Sequence, residues 1–136
     1  MDDRTLTADE RFLRLISAGF VADVRRTLDK GYDLTFRYSA EYGWLWRTAW
    51  STVNSVTERS VHDVVFNEEL DRASIILADE ILDFDFEHIL EPWPRCPRHG
   101  DHSLDLRSIG GEPWWVCNLD RHPEAVLGAL TEYEPT

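Results

Sequence analysis

The chain predicts an α+β fold with a small β-hairpin tail. Three observations carry that prediction. Apolar residues recur at three- and four-residue spacing over residues 12–28 and 66–82, as on one face of a helix. Between them, residues 32–39 alternate, as in a half-buried strand. Finally, the only two cysteines, Cys96 and Cys117, lie at the two ends of a turn-rich stretch with histidines beside it. The expected order is an N-terminal helix, an aromatic-rich antiparallel hairpin or small sheet, a long acidic helix, and a hairpin tail closed by a short helix. A chain of 136 residues with 43% hydrophobic residues and six Trp can bury a real core.

Each element has its own signal. Thr7 and Glu10 form a T-x-x-E capping box, which places a helix start near Ala8. Phe12, Leu13, Ile16, Phe20, Val24 and Leu28 form its apolar face, and Gly31 reads as its stop. Gly19 costs stability in mid-helix and suggests a close backbone approach. In "YDLTFRYS", Leu34, Phe36 and Tyr38 share one side; "AEYG" is a turn, and "WLWRTAWSTV" returns. Tyr38, Tyr42, Trp44, Trp46 and Trp50 then suit cross-strand packing, with a stacking platform as the alternative. Residues 61–82 predict the second helix, with Phe66, Leu70, Ala73, Leu77 and Ile81 inward. "DFDFEHIL", if extended, lines up Asp83, Asp85 and Glu87 as a solvated face or a weak Mg²⁺ or Ca²⁺ site. Three prolines, Pro92, Pro94 and Pro97, divide a main unit (1–91) from a tail (92–136) packed on it. "HPEAVLGALTEYE" predicts the closing helix.

Charge narrows the function. The net charge is −12, and residues 61–94 hold ten acids against one base, Arg72. Phosphate-backbone affinity comes from basic residues, so direct duplex binding is disfavoured. An anionic face formed by Asp79, Glu80, Asp83, Asp85, Glu87 and Glu91 suits a basic protein partner, itself a nucleic-acid-binding protein if the acids imitate phosphates. No apolar run approaches the roughly 20 residues that span a bilayer, and "MDDRTLTADE" lacks a signal-peptide pattern. A cytoplasmic protein is expected, in which a structural disulfide would be unusual. Thirteen of the fourteen basic residues are Arg, which points to a GC-rich bacterial genome. Nucleophile-elbow, P-loop, dinucleotide and zincin motifs are all missing, so no enzyme is expected.

The tail carries the chemistry. Cys96 and His99 stand at i and i+3 around a tight turn, and a hairpin brings Cys117 back, with His122 five residues on. The resulting C-x2-H-x17-C-x4-H spacing supplies four sulfur and nitrogen donors, the set that tetrahedral Zn²⁺ takes. Four protein ligands leave no open position, so the zinc would be structural.

On "CPRHG" and "CNLDRH" the tail resembles a zinc ribbon, with His99 in place of the first knuckle's second cysteine. It also resembles the tail of small uncharacterised high-GC bacterial proteins with C-P-x-H, H-P-L and W-x-C. That second resemblance implies His102, in "HSL", as an alternative fourth ligand to His122. Zinc ribbons often bind nucleic acid, which makes Arg95, Arg98, Arg107 and Arg121, with Trp114 and Trp115, an alternative binding set. A small metal-dependent hydrolase built on Asp83, Asp85, Glu87 and His88 is the least favoured alternative.

Overall fold

The computed structural model describes residues 3–131. Helix α1 (Asp3–Thr27) leads into strands β1 (Tyr32–Ser39), β2 (Gly43–Trp50) and β3 (Ser55–Ser60). A short 3₁₀ turn, Asp63–Asn67, precedes helix α2 (Leu70–Asp85). The tail adds β4 (Asp105–Ile109), β5 (Glu112–Val116) and β6 (Pro123–Val126). The two sheets are antiparallel, in the orders β1-β2-β3 and β4-β5-β6. The architecture is therefore α+β, with two open three-stranded sheets.

Helix α1 forms as its spacing requires, with Leu13, Ile16, Phe20 and Val24 buried along one face. It begins earlier than the capping box suggests. The Thr7 hydroxyl bonds the Asp3 carbonyl one turn back, at 2.8 Å, so Thr7 lies inside the helix. Gly19 does admit a close approach. A Cβ there would stand 3.1 Å from the Leu127 carbonyl oxygen of the tail.

The aromatic cluster is core. Trp44, Trp46 and Trp50 are buried on the inner face of β2, which leaves only Tyr38 and Tyr42 exposed. A stacking platform built on these Trp rings is excluded by that burial. Each fully buried large apolar side chain contributes roughly 1.5–3 kcal/mol, so this strand is a main source of stability.

Helix α2 begins at Leu70 rather than at residue 61, after the 3₁₀ turn, and Leu70 is exposed rather than inward. At its other end it runs to Asp85, which corrects the extended reading of "DFDF". Residues two apart on a helix point to nearly opposite sides, so Asp83 faces out while Asp85 turns in. Glu87 lies exposed in the turn after the helix. Asp85 is 4% exposed and accepts a 2.6 Å hydrogen bond from the Trp50 indole. The row of three carboxylates does not exist, and with it goes the geometry of the hydrolase alternative.

The proline-rich stretch is packed rather than a free linker. The Trp93 ring lies against Phe20, Phe86 and Trp115, with centroids 6.0, 5.2 and 5.7 Å away. Its indole donates to the Thr27 hydroxyl at 2.9 Å. Leu104, Leu106 and Trp115 of the tail join α1, β2 and α2 in one core.

The expected closing helix is replaced by strand β6. Trp114 pairs with Val126 and Trp115 with Ala125, so the segment completes a sheet edge that a helix would have left open. Gly128, at φ +102°, then turns the chain onto α1. The last residues of that expected helix, 132–134, lie outside the described residues.

Candidate metal centre

The tail brings four donors together. Backbone bonds set the stage: the Cys96 amide donates to the His102 carbonyl at 2.9 Å, and the Gly100 amide to the Cys96 carbonyl at 2.8 Å. These close residues 96–102 into a compact double turn, so three donors converge from seven residues. The β4–β5 hairpin supplies the fourth. Its two-residue turn, Gly110-Gly111, has φ of 59° and 81°, which glycine adopts at no steric cost and which suits a tight hairpin. Strand β5 thus returns Cys117 beside the first turn.

The donor atoms of Cys96, His99, His102 and Cys117 all lie within 4.8 Å of one another, close enough to hold a metal ion. His99 Nδ1 stands 3.4 Å from each sulfur. His102 Nε2 stands 3.2 Å from His99 Nδ1 and 3.7 Å from the Cys117 sulfur. Both cysteines are buried and unpaired by any disulfide, whereas His99 reaches solvent.

The surroundings orient these donors. His102 Nδ1 faces the Ser103 carbonyl at 3.0 Å. That contact calls for a proton on Nδ1, which leaves Nε2 free as a ligand. Arg98 reaches Asp120 at 3.1 Å, linking the first turn to the loop after Cys117. Burial pushes the Cys117 thiol up. Burial acts the same way on Asp120, yet contacts with Cys117, the His122 amide and Arg98 hold its carboxyl below the usual range.

Of the two alternatives for the fourth ligand, His102 joins the cluster and His122 does not. The Cys117 amide bonds the His122 carbonyl, and the His122 ring turns away to Glu124, 3.1 Å from its Nδ1. Three donors therefore come from the first turn and one from the second.

The remaining candidates separate. Asp83, Glu87 and Glu91 are exposed, Asp79 is exposed as a residue but has a partly desolvated carboxyl, and Glu80 is half-buried, whereas Asp85 is in the core and leaves the acidic face. Partial burial, with the charges of Asp83 and Asp105, pushes the Asp79 carboxyl up to about 6. Among the nucleic-acid alternatives, Trp115 is buried, Arg95 donates to the Gly100 carbonyl at 2.5 Å, and Arg98 is tied to Asp120.

One residue escaped the sequence reading altogether. Asp23, fully buried on α1, accepts hydrogen bonds from the Trp115 indole and from the amides of Gly128 and Leu130, at 2.8, 2.8 and 3.0 Å. It ties the tail to α1. Its signal was visible as an acid on the apolar stripe, between Phe20 and Val24.

No protein-family model, curated protein or solved structure matches the chain. Among the described residues, no helix is long and apolar enough to cross a membrane.

Proposed function

We propose that the chain is a non-enzymatic acidic interaction protein, an adaptor, inhibitor or immunity-type factor, whose tail is held by one structural zinc ion. The ligands are Cys96, His99, His102 and Cys117. One observation carries the zinc reading. A tetrahedron with Zn–S near 2.3 Å and Zn–N near 2.0–2.1 Å has S···N edges of about 3.6 Å and N···N edges of about 3.3 Å. Three of the four S···N pairs stand at 3.4, 3.4 and 3.7 Å and the N···N pair at 3.2 Å, and all six pairs lie within 4.8 Å. Two thiolates and two imidazoles suit zinc, and four ligands fill its shell. The arrangement of three donors and one supports the C-P-x-H, H-x-L, W-x-C pattern over the two-knuckle ribbon.

The partner reading rests on charge. Asp79, Asp83, Glu87 and Glu91 remain exposed on a chain of net charge −12, a surface that favours a basic protein. Fluorescence anisotropy with a lysine-rich peptide tests it. Binding should weaken steeply with salt and disappear in Asp79→Asn/Asp83→Asn/Glu87→Gln. Equal binding by that variant contradicts the reading. Metal analysis of the purified chain tests the zinc.

A further inference from the structure

A groove of about 490 Å³ runs along the outer face of the tail sheet, behind the metal ligand Cys117. That volume falls within the range of small-molecule sites. Strand alternation builds it. Leu106 points into the core, so Asp105, Arg107 and Ile109 point out. Val116 and the exposed Ile109 supply apolar wall, and Asn118 and Arg121 complete the lining. Trp114, across from Arg107 in register, flanks the groove on the same face and lies outside the core cluster.

The charges there differ from those of the rest of the tail. Arg95 and Arg98 are engaged, as described above. Arg107 reaches Asp105 only at 3.8 Å, with the Arg107 side chain largely and the Asp105 side chain partly in water, so that pair is weak. The Arg107 charge also acts on the Asp79 carboxyl. Arg121 forms no ion pair among the described residues. It sits at φ 59° in the tight turn after Cys117 and lines the groove.

We propose that this groove binds a small organic anion, a carboxylate or a phosphate monoester carried on an apolar body. Arg121 is the principal anchor, because a guanidinium grips such groups through two parallel hydrogen bonds. Arg107 is the second cation, shared with Asp105. Asn118 adds a neutral donor, and Val116 and Ile109 receive the apolar part. A long polyanion is disfavoured by the net charge of −12, whereas a small anion meets mainly the local field. Asp105 and Arg107 of the groove act electrostatically on Asp79 of α2, so the groove borders the acidic face. It does not depend on which metal the tail holds.

The test is a titration of the metal-loaded full chain followed by amide NMR, with three probes. Phenyl phosphate and 3-phenylpropionate represent the two anion sources, and 3-phenylpropanol is the uncharged control. One or both anions should bind with Kd at or below about 1 mM and shift residues 105–109 and 116–121. The responding probe names the source. Arg121→Ala should weaken binding about tenfold, Arg107→Ala less, and Arg14→Ala on distant α1 not at all. Metal content and the unperturbed spectrum of each variant show that its fold is intact. The proposal is overturned if neither anion shifts these residues at about 10 mM. Equal binding of the alcohol, or wild-type affinity in Arg121→Ala, also overturns it.

Discussion

The carboxylate of Asp23 in α1 accepts a 2.8 Å hydrogen bond from the indole of Trp115, 92 residues away in β5. The same carboxylate takes the amides of Gly128 and Leu130, while Arg26 donates to the carbonyls of those two residues at 3.1 and 2.9 Å. A buried acid with its acceptors this well used orders the whole end of the chain. Removing it leaves two buried donors and one half-buried donor without partners. Asp23→Ala should therefore cost about 3 kcal/mol or more, read as a lower urea midpoint. A loss below about 1 kcal/mol would contradict the role.

Gly19 gives a second stability prediction, with a sign opposite to propensity. In an open helix, Gly→Ala gains up to about 1 kcal/mol. Here the new methyl meets the Leu127 backbone at 3.1 Å. That backbone has little room to retreat, since the Leu127 amide bonds the Pro113 carbonyl and the Gly128 amide bonds Asp23. Gly19→Ala should destabilise by about 1–3 kcal/mol, and a raised Tm would show that the tail yields.

Asp79 sets a pH dependence. Its carboxyl, pushed up to about 6 by partial burial and by Asp83 and Asp105, binds a proton more tightly in the folded chain than in the unfolded one. Its contribution thus favours folding at acid pH and fades as pH rises from about 4 towards 6. Asp79→Asn removes that change. It should raise Tm at pH 7.5 and leave it unaltered near pH 4. An equal effect at both values would place the cause elsewhere.

Helix α1, the body of α2 and the first hairpin were legible because their signals are local. The start of α2 was not, since the apolar spacing of residues 61–69 continues into a 3₁₀ turn. The Leu13–Ile16–Phe20–Val24 spacing and the alternation of residues 32–39 each specify an element within one window. Three things were not local. Asp85 looked like a member of a surface row until the helix continued and Trp50 offered it a donor. Residues 123–126 carry acceptable helix formers, yet the open edge of β5 claimed them. In the metal centre, spacing indicated Cys96, His99 and Cys117. The choice of His102 over His122 depended on the Cys96–His102 backbone bond and the Glu124 side chain, which only the folded chain brings into place.

The proposed metal ligands separate by substitution. Cys117→Ser and His102→Ala should each lose most of the bound metal. His122→Ala should retain it, because that ring faces Glu124. Retention in His102→Ala with loss in His122→Ala would restore the other ligand set.

The most direct measurement is metal analysis and X-ray absorption on the purified, untagged chain, followed by circular dichroism before and after a strong chelator. The account predicts one zinc per chain in a shell of two sulfurs and two nitrogens, and a lower melting temperature once it is removed. A chain that holds no metal, with two freely titrating thiols and an unchanged spectrum after chelation, would contradict it.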